Sequence, residues 1–250
     1  MKDVIRYGLL VTGLSFLTLN ALYANDQQDV TAIIKKMDDL YRSSSSYAEF
    51  KMEIVNPHWQ RTLTMKAWTQ GKKRTFIRII SPAKEEGIGT LRIGNEMWNY
   101  LPNTNKVIKI PPSMMMSSWM GSDFNNDDLV SEFTFEEDYT FSIIKRDSSQ
   151  ITVKCIPKEG RPIVWGSVLL VVRSKDFLPV EERYYDEQDN LMRTMYFKNI
   201  KTFDNRTIPS VMELIPENEK NHKTVLEYID VNFDREISDH VFSVRNLRSP

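Results

Sequence analysis

Residues 47–54 read Tyr-Ala-Glu-Phe-Lys-Met-Glu-Ile (YAEFKMEI). Ala48, Phe50, Met52 and Ile54 take every second place, and Glu49, Lys51 and Glu53 fill the places between them. Successive side chains of an extended chain point to opposite faces, so this pattern makes a strand with one apolar and one wet face. Such a strand cannot stand alone in water. It needs neighbours in a sheet and a cover for its apolar side.

The same period continues downstream. Leu63, Met65 and Ala67 alternate with Thr62, Thr64 and Lys66, and strand-like runs follow at 74–80, 89–93, 96–101 and 106–110. A second series covers 139–146, 151–156, 166–174, 180–185, 191–200, 208–214 and 224–231. Turn residues separate the runs, among them Asn56-Pro57, Gln70-Gly71, Glu159-Gly160 and Asp204-Asn205. Short connections make neighbouring strands antiparallel. The expectation is a mainly β (α+β) chain in which one antiparallel sheet of about 11–13 strands, wet on one face, curls into an incomplete barrel.

Upstream the period changes. Val30, Ile33, Ile34, Met37 and Leu40 recur at helical spacing behind Asp29 as a cap, and Ser43–Ser46 end the helix. One amphipathic helix must lie against the sheet. Further back, Lys2 and Arg6 precede an apolar stretch from Gly8 to Leu19 and the small-residue pattern Ala21-Leu22-Tyr23-Ala24. That order reads as a secretory signal peptide over 1–24, cleaved after Ala24, leaving one domain over 25–250. The apolar stretch is too short to span a bilayer comfortably.

Between the two strand series lies a break of different composition, Ile110–Phe124, IPPSMMMSSWMGSDF, uncharged until Asp123. Methionine is flexible and polarisable and suits surfaces that accept differently shaped apolar partners. With Ser113 as cap and Gly121 as stop, a short helix is expected here, placing Met115, Met116, Trp119 and Met120 on one face and Met114 elsewhere. A second short helix is expected at 128–132, capped by Asp123 or Asp127. An apolar connector flanked by Pro-Pro and Gly-Ser suits a movable cover on the concave side of the sheet.

Several chemistries find no support. His58, His222 and His240 share no spacing, and no G-x-S-x-G elbow is present, so no enzyme is expected. One cysteine and three dispersed histidines do not form a zinc pattern. Asp123, Asn125 and Asp127 start like a calcium loop, but Asp128 stands where glycine is required and Thr134 where glutamate is. Gly87, Gly89 and Gly94 precede a strand instead of a helix, so no phosphate cradle forms and no cofactor is expected. A net charge of −1 without a basic patch argues against nucleic acid. Cys155 alternates with Val153 and Ile151 and reads as a small buried residue.

The residues also carry a resemblance. The leader, the lone helix with its serines and YAEFKMEI resemble the start of periplasmic lipoprotein carriers of the LolA type. Asn95–Leu129 (NEMWNYLPNTNKVIKIPPSMMMSSWMGSDFNNDDL) and Ile237–Leu247 (ISDHVFSVRNL) are more specific and are similar to outer-membrane lipoprotein-sorting proteins, a branch of the LolA-like superfamily. The resemblance implies an incomplete barrel around an apolar cavity that takes acyl chains of lipoproteins or other lipids. It implies a periplasmic location in a Gram-negative bacterium, and carriage toward the outer membrane. It also implies an inner-membrane partner, a transporter of the resistance-nodulation-division type or a lipoprotein-releasing permease. On this reading Met115, Met116, Trp119, Met120 and Phe124 form the apolar cover, and Phe50, Met52, Met65, Trp98 and Tyr100 form the cavity wall of a monomer. The second function expected is a non-catalytic interaction module on the same fold, an accessory subunit of a transporter or of an envelope-stress sensor.

Overall fold

The computed structural model describes residues 29–41, 43–130, 135–161 and 163–248. The signal peptide reading of 1–24, and the expected end of a helix at 131–132, fall outside them. Every period-two run becomes a strand. The first series gives β1 (Ser45–Val55), β2 (Gln60–Gln70), β3 (Arg74–Ser81), β4 (Gly89–Ile93), β5 (Glu96–Leu101) and β6 (Lys106–Ile110). The second gives β7 (Tyr139–Arg146), β8 (Gln150–Pro157), β9 (Ser167–Arg173), β10 (Pro179–Tyr185), β11 (Leu191–Phe203), β12 (Arg206–Pro216) and β13 (Lys223–Phe233).

All 13 strands belong to one antiparallel sheet in the order β6-β5-β4-β3-β2-β1-β13-β12-β11-β10-β9-β8-β7. Each series is a simple meander, and among the described residues the only long-range join is β1 to β13, with Met52 opposite Leu226 and Ile54 opposite Thr224. The sheet does not close. Its two edges, β6 and β7, are consecutive in sequence, so residues 111–138 must travel from one edge to the other.

Register fixes which side chains share a face, because directly paired residues point the same way. Ile54, Thr224, Leu214, Met195, Glu182, Leu170 and Val153 form one row across the sheet. The face carrying this row is the inner face. Helix α1 (29–39) buries Val30, Ile33 and Ile34 there, against Val153, Cys155, Val168 and Leu170. Each such side chain contributes about 1.5–3 kcal/mol on leaving water. Cys155 lies fully buried in this cluster, where burial pushes its thiol far up and leaves it inert. Asp29 lies inside α1 and pairs with Arg146 at 2.8 Å.

The outer face is not uniformly polar, contrary to the alternation expected for it. Phe76, Leu91 and Tyr100 form a second apolar cluster there, with Trp68 and Trp98 beside them. It is covered by the C-terminal segment, a 3-10 turn at Asp239–Val241 and helix α4 (Val244–Leu247), through Phe242 and Leu247. Gly89 permits this contact: a Cβ there would lie 2.8 Å from Leu247 Cδ1. Arg78 donates to the carbonyls of Gly87, Asn246 and Leu247 at 2.6, 3.0 and 3.0 Å, fixing the segment in place.

Candidate functional site

The connector from β6 to β7 lies on the inner face, and its local shape departs from the helix that the spacing predicts. Pro112–Met114 is a 3-10 turn, and residues 117–126 fold back as a tight hairpin. Trp119 N–H donates to Phe124 O at 2.8 Å, and Asn126 N–H donates to Ser117 O at 3.0 Å. The reversal is made at Met120 and Gly121, both with left-handed backbone (φ 53° and 74°). Glycine takes that conformation freely, whereas at Met120 it is uncommon and needs outside support. Arg61 at the start of β2 supplies support by donating to the Met120 carbonyl, while its guanidinium lies 5.3 Å from the Trp59 ring.

The next helix, α2, runs Asn126–Val130, and its cap is Asn125 in place of Asp123 or Asp127. Asn125 Oδ1 accepts from Asp128 N–H at 2.8 Å, and Asp128 Oδ2 accepts from Asn125 N–H at 2.9 Å. This is a reciprocal pair of the capping-box kind. After α3 (Phe135–Asp138) the chain enters β7. Asp38 of α1 accepts the Phe135 and Glu136 amides at 3.0 and 2.9 Å, so α1 anchors the far end of the connector.

Met115, Trp119, Met120 and Phe124 pack against one inner-face cluster that holds Phe50, Met52, Met65, Ile79 and Met97. Trp119 is a member of this cluster, 2% exposed, with its indole N–H donating to Thr90 Oγ1 at 3.2 Å. Met116 is 49% exposed and points away from the cluster, because the hairpin breaks the helical spacing that would have aligned it. Trp98 and Tyr100 are absent from this cavity wall. Met97 is the residue of β5 that faces inward, and the period of two sends both its aromatic neighbours to the outer face.

Beside this packed region the interior is open. A cavity of about 290 Å³ lies between α1, α2 and the sheet, lined by Met37, Tyr41, Phe135, Ile163, Trp165 and Tyr184 among others. A second, of about 370 Å³, runs along the hairpin and is more polar: Ile54, Met116, Phe124 and Met192 share its lining with Asn56, Ser122, Asp123, Asn125, Glu219 and His222. A third, of about 90 Å³, lies beneath Tyr41, Phe50 and Tyr228.

Arg193 of β11 stands where the two larger cavities meet. It makes a bidentate pair with Asp128 of α2, at 2.9 and 2.6 Å, and its guanidinium lies against the touching rings of Trp165 and Tyr184, each 4.5 Å away. The Tyr184 hydroxyl donates to Glu182, whose carboxyl burial pushes up to about 6. Neither Arg61 nor Arg193 stands out in the sequence as a partner of the connector. Each lies in a half-polar strand, and its partner is 59 or 65 residues away.

Sequence spacing also failed to reveal a polar cluster at the rim of the second cavity. Glu219 and His222 in the β12–β13 turn meet Asp123 of the hairpin. His222 Nδ1 is 2.8 Å from Glu219 Oε2 and 3.9 Å from Asp123 Oδ1. Burial raises the Asp123 carboxyl pKa, and Thr224, fully buried, donates to its other oxygen at 2.7 Å. His240 and His58 lie elsewhere, the first beside Ser238.

The profile of a family described as "Uncharacterized protein" matches residues 71–249. The chain belongs to that family. Among solved structures, it superposes on a DUF1329 family protein from Desulfovibrio piger with a TM-score of 0.77 at 24% identity, covering 86% of this chain and 96% of that one. An outer membrane lipoprotein-sorting protein domain from Vibrio parahaemolyticus gives 0.74 at 20% identity, covering 88% and 97%. A LolA superfamily protein from Nitrosomonas europaea gives 0.71 at 19% identity, covering 86% and 98%. The fold is therefore LolA-like. No curated protein matches the sequence. Among the described residues, no helix is long and apolar enough to cross a membrane.

Proposed function

We propose that this protein is a periplasmic carrier that holds acyl chains of lipoproteins or other lipids on the inner face of its sheet, beneath the connector, without covalent chemistry. One observation carries the reading. The hairpin of the connector pairs its own backbone, through the Trp119–Phe124, Ser117–Asn126 and Met115–Asp127 hydrogen bonds, and presents Met115, Trp119, Met120 and Phe124 to an apolar sheet face. Lifting the hairpin keeps these internal pairs, breaks the contacts of Arg61, Thr224 and Arg193 with the connector, and exposes a bed of Phe50, Met52 and Met65. The cavities of 290 and 370 Å³ are at the small end of ligand pockets, so a whole lipid requires the cover to move.

Full burial of a sixteen-carbon chain is worth roughly 13 kcal/mol at about 0.8 kcal/mol per carbon. Methionine lining keeps the fit loose enough for release. In this reading, residues 1–24 direct export and are then cleaved, leaving the monomer in the periplasm. An inner-membrane transporter, of the resistance-nodulation-division type or a lipoprotein-releasing permease, loads it, and the cargo passes on toward the outer membrane.

The test is uptake. Protein purified without detergent is extracted with organic solvent and analysed by mass spectrometry, and the delipidated protein is titrated with a fluorescent fatty acid. Co-purified phospholipid or lipoprotein acyl chains, with saturable uptake near one equivalent, are expected. An empty extract together with no saturable uptake would refute the carrier. Turnover of an ester substrate by the purified protein would refute the non-catalytic reading.

A further inference from the structure

Asp123, Glu219 and His222 bring three ligand atoms within 4.8 Å of one another at the rim of the 370 Å³ cavity. We infer that these three residues bind a divalent transition-metal ion, zinc foremost, which bridges the connector hairpin to the β12–β13 turn. The donor set decides the class. One imidazole nitrogen with two carboxylate oxygens suits zinc and its neighbours, whereas calcium and magnesium take oxygen-only sets.

Two atoms bound to one zinc at about 2.0–2.2 Å in tetrahedral geometry lie about 3.5 Å apart. The His222–Glu219 and His222–Asp123 separations are 2.8 and 3.9 Å, and all three ligand atoms lie within 4.8 Å of one another, so small side-chain shifts complete the site. The Thr224 hydroxyl holds Asp123 Oδ2 at 2.7 Å and leaves Oδ1 toward His222, the kind of outer hydrogen bond that orients a ligating carboxylate. Glu219 and His222, three residues apart, project from one turn, so only Asp123 has to be brought in by the fold. Three protein ligands leave a coordination position for water or a guest anion, and the cavity gives it room. The site stands whether or not the cavity carries lipid.

The alternative is that His222 holds the two carboxylates by direct polar contact with no metal. Chelator-treated protein is titrated with zinc chloride by calorimetry and its unfolding temperature is followed, for the native chain and for His222→Ala and Glu219→Gln. Glu219 is exposed, so its replacement leaves folding intact. Cobalt(II) chloride is added separately and its visible absorption recorded. One saturating equivalent, a raised unfolding temperature, a tetrahedral or five-coordinate cobalt spectrum, and at least tenfold weaker binding in both variants are expected. No saturable binding by the native chain, or zinc affinity unchanged in both variants, would overturn the site.

Discussion

Replacing Trp119 with alanine tests the cover directly. Trp119 is 2% exposed and sits between the hairpin and the inner-face cluster. Truncating a buried tryptophan costs about 3–5 kcal/mol. The lost indole donor to Thr90 is part of that cost, softened because the Thr90 hydroxyl still donates to Asn99 Oδ1 at 2.8 Å. If the hairpin docks as a unit, the loss falls on docking and leaves the sheet, whose ladders do not involve Trp119, nearly unaffected. An opening equilibrium shifted by 3–5 kcal/mol raises the open population by a factor of about 150 to several thousand, until the open form dominates. Apparent affinity for an acyl chain scales with the open fraction. Trp119→Ala should therefore bind a fluorescent fatty acid at least tenfold more tightly, and amide exchange should accelerate over 112–128 while β1, β2 and β13 stay protected. Unchanged or weaker fatty-acid binding, with exchange accelerated evenly across the sheet, would show Trp119 to be ordinary core and refute the reasoning.

Three further outcomes follow from the geometry. Glu182 is buried and its carboxyl is raised from 4.5 to about 6, chiefly by desolvation, with Asp128 and Asp38 adding to the rise and Tyr184 and Arg193 opposing it. A raised acid binds its proton more readily in the folded chain, so its contribution to stability is fully present below pH 4.5 and is lost as pH climbs through 6. Glu182→Gln should accordingly gain up to about 2 kcal/mol over the native chain at pH 7 and nothing at pH 4, read from urea unfolding at both pH values. Trp98→Ala should leave fatty-acid affinity within twofold while lowering the unfolding temperature, because Trp98 packs on the outer face; a tenfold loss of affinity would return it to the cavity wall. Gly89→Val should displace the C-terminal segment, since its Cβ alone would meet Leu247 at 2.8 Å, costing about 1–3 kcal/mol and exposing 237–247 to limited proteolysis. Unaltered protease resistance would contradict that contact.

Period and turn chemistry made the elements legible. The alternation of Ala48, Phe50, Met52 and Ile54 is a local property, and it survives folding because the sheet keeps one side of β1 dry. The same holds for Val30, Ile33 and Ile34 on α1, and for the conspicuous composition of 110–124. Where two local tendencies compete, local reading fails. Residues 113–121 have helical spacing, but consecutive prolines, a left-handed Met120 and a hold from Arg61 give a 3-10 turn followed by the hairpin of 117–126, so Met116 is left exposed. Trp98 and Tyr100 have the right period and lie on the other face, because alternation fixes that two residues share a side without saying which.

The sequence by itself determined the strands, their antiparallel order within each meander, the leading helix and the existence of an apolar break between the two series. Only the tertiary structure decided that β1 pairs with β13, which makes β6 and β7 the two edges and stretches the break across the inner face. It also decided that Arg61, Arg193 and the Asp123–Glu219–His222 cluster meet the connector. The reason is physical. Burial periodicity and turn propensity act over a few residues and leave their mark in the order of amino acids. Pairing between strands more than a hundred residues apart is chosen by the whole apolar surface at once, and a single arginine or histidine acquires a partner only after that choice is made.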